Sequence, residues 1–279
     1  MLNLGKINKA KVVKEKDFGY YITPIGDSIE ILLPKSGTLG RTLEIDEEID
    51  VFIYRDSKDR FISTLKTPLA QVGEVAYLKV VAQTPIGAFV NIGLERDVLV
   101  PMKEQEIKIY KDSSYLFYLY VDKTGRIAAT PDVNDYIDIA DNLYKEGDLV
   151  TGVVYGFTSV GSALVAIDNK YKGLILKNEF FNFLKVGEKL ELRVKRIYED
   201  GTVSVTPRTK AIKDQRLELE DIILDYLKTH NGFMVYNDKS SPEDIRSIFH
   251  VSKNYFKNAL GGLMKKRLIS QDSEGTKLI

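Results

Sequence analysis

The 279-residue chain contains no cysteine, no tryptophan and only two histidines. Without cysteine there can be no disulfide, thiolate metal site, iron–sulfur cluster or cysteine nucleophile. His230 and His250 stand where elements end and have no partnered nucleophile, so they read as capping or turn residues. A Walker motif, a dinucleotide fingerprint and a paired-histidine zinc motif are all missing. Net charge is missing too, because 40 Lys and Arg balance 40 Asp and Glu. No apolar run approaches the roughly 20 residues of a spanning helix. No apolar export region follows the N-terminal lysines Lys6, Lys9, Lys11, Lys14 and Lys16. Together these absences predict a cytoplasmic binding protein with no catalytic residues, cofactor, metal or membrane partner. With 11 basic and 11 acidic side chains in residues 1–66, any electrostatic footprint there must be a local patch.

What the chain does have is an internal repeat. Three segments end alike: Arg60-Phe-Ile-Ser-Thr64, Arg126-Ile-Ala-Ala-Thr130 and Thr202-Val-Ser-Val-Thr206. Each follows a run such as Leu190, Leu192 and Val194 alternating with charged residues, the period of two of a half-buried strand. Upstream, each unit has an opening strand and then a glycine-started strand at Gly19, Gly87 or Gly161. A short third strand follows. Five short strands with glycine-marked bends in about 65 residues predict a small closed barrel of the OB type.

Gly87-Ala-Phe-Val-Asn-Ile-Gly93, Val98-Leu-Val-Pro101 and Asp122-Lys-Thr-Gly-Arg126 together resemble the S1 RNA-binding domain, a variety of OB-fold. The first and third units are similar but more divergent. The expected domains are 1–66 and 67–131 (S1-like), 132–144 (a helical linker), 145–210 (a divergent S1-like barrel) and 211–279. The linker helix rests on Asp132, Asp135, Asp138 and Asp141, with Tyr136, Ala140 and Leu143 at helical spacing on another face. A solvated helix is expected there rather than a metal site, because a helical row of carboxylates diverges into solvent.

After Arg208 the period becomes helical. Leu219, Ile222, Ile223, Tyr226 and Leu227 follow an amphipathic pattern that Asn231-Gly232 stops. Ser241-Pro-Glu-Asp244 supplies a hydroxyl cap, a first-turn proline and first-turn acids for a second helix. A third helix, from Ser252 to about Arg267, should bury Phe256, Leu260 and Leu263. Gly261-Gly262 within it suggests a kink or a close backbone approach. A hairpin around Glu274-Gly275 completes a winged helix–turn–helix.

Three S1-like barrels followed by a winged helix resemble the conserved virulence factor B family of bacterial proteins over essentially the whole chain. The likeness is strong from Ser241-Pro-Glu-Asp-Ile through Ser252-Lys-Asn-Tyr-Phe-Lys-Asn-Ala-Leu-Gly261. It implies an RNA-binding regulator that affects expression of virulence factors and takes single-stranded RNA as its partner. Duplex DNA or a protein could also bind the winged helix.

Single strands are held by ring faces that stack bases and by cations that follow phosphates. Carried over by position, the S1 motif implicates Phe18, Tyr21, Asp56 and Arg60 in the first unit, with Lys9, Lys11, Lys14 and Lys16 around them. In the second unit it implicates Phe89, Asp122 and Arg126, with Ile86 at the first aromatic position. The third unit departs most, with Val160, Leu164, Tyr198 and Thr202 at these places. Pro34 and Pro101 replace the family's strand-three histidine. Phe89 reads equally well as core, whereas Tyr20 and Ile22 can fill the first barrel and leave Phe18 and Tyr21 outside. Arg60 and Arg126 could simply pair with Asp56 and Asp122. On the third helix, Lys253, Asn254 and Lys257 are the candidate groove-reading residues.

Overall fold

The structure is a computed structural model that describes residues 2–180, 183–207 and 212–279, the last segment as backbone alone at 212–216 and 218. In the first barrel, β1 (Ile7–Lys16), β2 (Gly19–Pro24), β3 (Ile31–Pro34), β4 (Glu48–Arg55) and β5 (Phe61–Thr64) close in the order β1-β2-β3-β5-β4. The contact between β3 and β5 is parallel and the other pairings are antiparallel. The second barrel repeats this order with β6 (Val75–Thr84), β7 (Gly87–Val90), β8 (Val98–Pro101), β9 (Ser114–Val121) and β10 (Ile127–Thr130). The third uses β11 (Leu149–Phe157), β12 (Ala163–Ile167), β13 (Tyr171–Ile175), β14 (Lys189–Ile197) and β15 (Val203–Thr206). Closure leaves no sheet edge open to a neighbour. Alternation does the sorting: along β1, Asn8, Ala10 and Val12 are buried while Ile7, Lys9 and Lys11 face out.

The barrels are joined by apolar interfaces. Phe52 and Tyr54 of β4 belong to the same buried cluster as Leu78, Val90, Leu94 and Phe117 of the second barrel. Between the second and third barrels, Leu116, Val133, Ile137, Val153 and Ala166 form a separate buried cluster. The Tyr77 hydroxyl donates to the Gly187 carbonyl at 2.8 Å across that seam. Gly187 has φ +89°, and a Cβ there would lie 2.5 Å from the Ser114 carbonyl oxygen, so the seam closes only around a glycine.

The helical linker expected over 132–144 is not formed. The segment holds a 3-10 turn, Asn134–Tyr136, extends through Asp138, which bridges in parallel to Tyr171, and turns again at 141–143. Val133 and Ile137 are buried in the seam instead, and Ala140 in the core of the third barrel. The four-residue spacing from 133 to 137 marks two anchors of a strap. The aspartates are distributed along it, and among the described residues no acidic or histidine cluster is arranged to hold a metal.

The C-terminal domain is a winged helix built from α1 (Ile212–Thr229), β16 (Phe233–Met234), α2 (Pro242–Phe249), α3 (Lys253–Lys265), β17 (Ile269–Gln271) and β18 (Thr276–Leu278). The boundary expected at 210 lies outside the described residues. The expected cap forms, the Ser241 hydroxyl accepting from the Asp244 N–H at 3.0 Å, and Ser252 caps α3 in the same way, accepting from the Tyr255 N–H at 3.3 Å. His250 ends α2 in the left-handed conformation at φ 55°, and His230 stacks on Tyr226 with centroids 4.0 Å apart. The sheet has three strands rather than two, ordered β16-β18-β17. Ile222, expected in the core, is 53 % exposed; Leu219, Ile223 and Leu227 carry the apolar stripe of α1. Among the described residues, no helix is long and apolar enough to cross a membrane.

Candidate nucleic-acid interface

The register of the first two strands builds the same platform in each barrel. The opening strand carries one extra residue opposite its partner: Val13, Val81 and Tyr155. Beyond this bulge, Lys14 faces Tyr21, Ala82 faces Phe89 and Gly156 faces Leu164. Continuing across the sheet, Tyr21 pairs with Leu32, Phe89 with Leu99, and Leu164 with Leu174. These positions are half-buried and look outward while their neighbours fill the cores. A bulge that re-aims side chains is what turns a closed barrel wall into a presenting surface.

Among the described residues, only the first barrel furnishes that surface with rings and a cation together. Phe18 is 56 % exposed and stands edge-to-face with Tyr21, with centroids 6.3 Å apart. The Lys14 ammonium sits 5.5 Å from the Tyr21 centroid and 3.0 Å from a Glu30 carboxylate oxygen. An exposed pair of this kind is worth only about 0–1 kcal/mol, so a phosphate can compete for the lysine. Tyr20 and Ile22, buried on either side of Tyr21, hold the strand in place, and the Tyr20 hydroxyl accepts from the Leu43 N–H at 3.3 Å. In the second barrel Phe89 faces outward but is partnered by Ala82, with Ile86 63 % exposed where Phe18 stands. In the third barrel the corresponding surface is aliphatic.

The other expected residues divide. Lys9 and Lys11 face out, but toward acids: they lie opposite Asp50 and Glu48 on β4, and Lys11 pairs with Asp46 at 2.8 Å. The hydrogen bond and charge of Asp46 raise the Lys11 pKa above its ordinary value. Asp56 and Asp122 are turn builders. Asp56 accepts from the backbone N–H groups of Lys58 and Arg60, and Asp122 from those of Thr124 and Arg126. Arg60 donates to Asp56 through Nε at 2.9 Å and a terminal nitrogen at 2.6 Å, which holds that carboxyl down at about 2. Arg126 does not pair with Asp122. It forks onto Asp59 of the first barrel at 2.7 and 2.8 Å, while Arg55 donates to the Gly125 carbonyl at 3.0 Å in the other direction. The motif arginine of the second unit is thus a latch between two hairpins.

Lys14 is the one of the four expected lysines that stands beside the rings, and Lys35 is a cation that the set read from the sequence omitted. The Lys35 backbone N–H donates to the Phe18 carbonyl at 3.1 Å, which brings the backbone of an exposed lysine against that of Phe18. Its proximity depends on the pairing of β2 with β3, which sequence spacing does not fix. On α3, Asn254 is exposed, but the Lys253 ammonium donates to the Lys239 carbonyl at 3.3 Å and that of Lys257 lies 4.0 Å from Asp238. Both lysines lean on the loop before α2.

Three S1-type OB barrels and a winged helix, module types suited to holding nucleic acid, define a multidomain nucleic-acid-binding protein. The S1 domain model matches residues 4–66 and 72–132, and the CvfB-like winged helix domain model matches 221–278. The chain belongs to the conserved virulence factor B family. It is 32 % identical over 275 residues to the uncharacterized protein YitL of Bacillus subtilis, covering 94 % of this chain and 89 % of that one. It is 28 % identical over 238 residues to conserved virulence factor B of Staphylococcus epidermidis, covering 81 % and 78 % of the two chains. A crystal structure of a multidomain protein with nucleic acid binding domains from Streptococcus pneumoniae matches 99 % of this chain and 98 % of its own, at 28 % identity and a TM-score of 0.52.

Proposed function

We propose that this protein is a non-catalytic RNA-binding regulator that acts after transcription and grips single-stranded RNA chiefly through its first barrel. The observation that carries this reading is the Phe18–Tyr21 ring pair, exposed beside Lys14 on a preformed barrel wall. Each stacked base contributes about 1–3 kcal/mol, and every base has a face to stack, so such a site tolerates many sequences. The barrels are fixed to one another, so a strand held weakly by one is presented to the next at high effective concentration. The name conserved virulence factor B, carried by relatives, supports a connection with virulence.

Filter binding of the whole chain to single-stranded RNA, single-stranded DNA and duplex DNA over a salt series tests the proposal. Single-stranded RNA should bind most tightly, with a log–log salt slope of about −2 to −3 if three or four phosphates are neutralised. Tighter binding of duplex DNA, or no binding of RNA at physiological salt, would overturn it.

A further inference from the structure

A second aromatic platform lies away from the S1 surface, on the strap between the second and third barrels. Tyr136 lies flat on Tyr118, with centroids 3.5 Å apart and planes within 7°, yet remains 48 % exposed. Its position is rigid: Val133 and Ile137, on either side, are buried in the seam, and Asp138 exchanges backbone hydrogen bonds with Lys170 and Lys172 at 2.8 Å. Tyr136 lines a groove of 550 Å³ together with Val75, Tyr77, Asn169 and Lys170. The half-buried Asn169 side chain makes no hydrogen bond among the described residues. Three carboxylates line the groove: Asp168 accepts from Tyr144 and Thr151, Glu74 from the Gln71 N–H, and Asp138 faces Lys170. Lys170 is exposed at the rim, 4.0 Å from Asp138.

We propose that this groove takes one nucleobase of a single-stranded RNA, stacked on Tyr136, with its edge read by Asn169 and its phosphate met by Lys170. The inference rests on the RNA-binding reading and adds a site to it. A rigid ring with one face covered and the other open offers stacking at little ordering cost. An amide that both donates and accepts is suited to the edge of an unpaired base.

The test compares the full chain with Tyr136→Ala and Tyr136→Phe for affinity to a 4-thiouridine-substituted single-stranded RNA, followed by photocrosslinking and peptide mapping. Tyr136→Ala should lose at least fivefold in affinity and Tyr136→Phe should stay within twofold of the parent. Crosslinks should map to the strap around residues 134–138. If the parent binds RNA, a Tyr136→Ala variant of equal affinity, or crosslinks that spare the strap, would overturn this site alone. A parent that binds no RNA would overturn this site and the general reading together.

Discussion

Alanine at both Phe18 and Tyr21 lowers the affinity of the whole chain for single-stranded RNA by about 10- to 100-fold at fixed salt, the loss of one or two stacked bases. The fold survives, because Phe18 projects into solvent and the barrel core is filled by Tyr20, Ile22, Ile31 and Leu33. Arg126→Ala is the informative control. Its guanidinium is held by Asp59 in an exposed fork that adds little to stability, so the variant stays folded and keeps near-parental affinity. Titrations of the three proteins with a pyrimidine RNA, each checked by thermal melting, read both effects. A double variant that binds like the parent shows that the rings do not stack bases.

The second large effect is one of opposite signs at adjacent residues. In α3, a Cβ at Gly262 would lie 2.0 Å from a carboxylate oxygen of Glu220 and 3.0 Å from its Cδ. Glu220 is 1 % exposed and holds the Lys266 ammonium at 2.6 Å, so it can give way only by disturbing that pair. Gly262→Ala should therefore destabilise the winged helix by about 1–3 kcal/mol, the range of overpacking. At Gly261 nothing lies within 4 Å of the same added atom. Gly261→Ala should stabilise the domain by about 0.5–1 kcal/mol through helix propensity alone. Among the described residues all three α-helices lie in this domain, so denaturation followed at 222 nm reports on it. Equal shifts for the two variants would show that α1 and α3 do not approach as closely as Glu220 and Gly262 indicate.

This contrast also shows how far the sequence could be read. The paired glycines signalled a kink or a close approach, but nothing local says that Gly262 meets α1 while Gly261 meets solvent. The barrels were legible because strand alternation and glycine bends are local and recur three times. The strap at 132–144 differs from the expected helix because the spacing of its aspartates and of Tyr136, Ala140 and Leu143 is helical, yet Tyr136 and Leu143 stay exposed while Val133 and Ile137 are buried. Burial against Leu116, Val153 and Ala166 pins these two anchors, and Asp138 bridges to Tyr171.

At the candidate site, alternation along β2 and β7 sets Tyr21 and Phe89 outward, but the residue beside each ring, Lys14 or Ala82, depends on a one-residue bulge in the preceding strand that alternation by itself cannot reveal. Arg126 kept the spacing of a motif residue, but its partner was decided by the meeting of two hairpins 67 residues apart. Lys9 and Lys11 looked like a basic track because the acids of β4 that face them are some 40 positions downstream.

The most direct test of the central claim is an amide-resolved titration of the 279-residue chain with a single-stranded pyrimidine RNA. The largest perturbations should fall on residues 14–22 and on Lys35, where the exposed rings and their flanking cations meet. Perturbations confined to residues 145–279, with residues 14–22 unmoved by saturating RNA, would contradict the assignment of the first barrel as the principal grip.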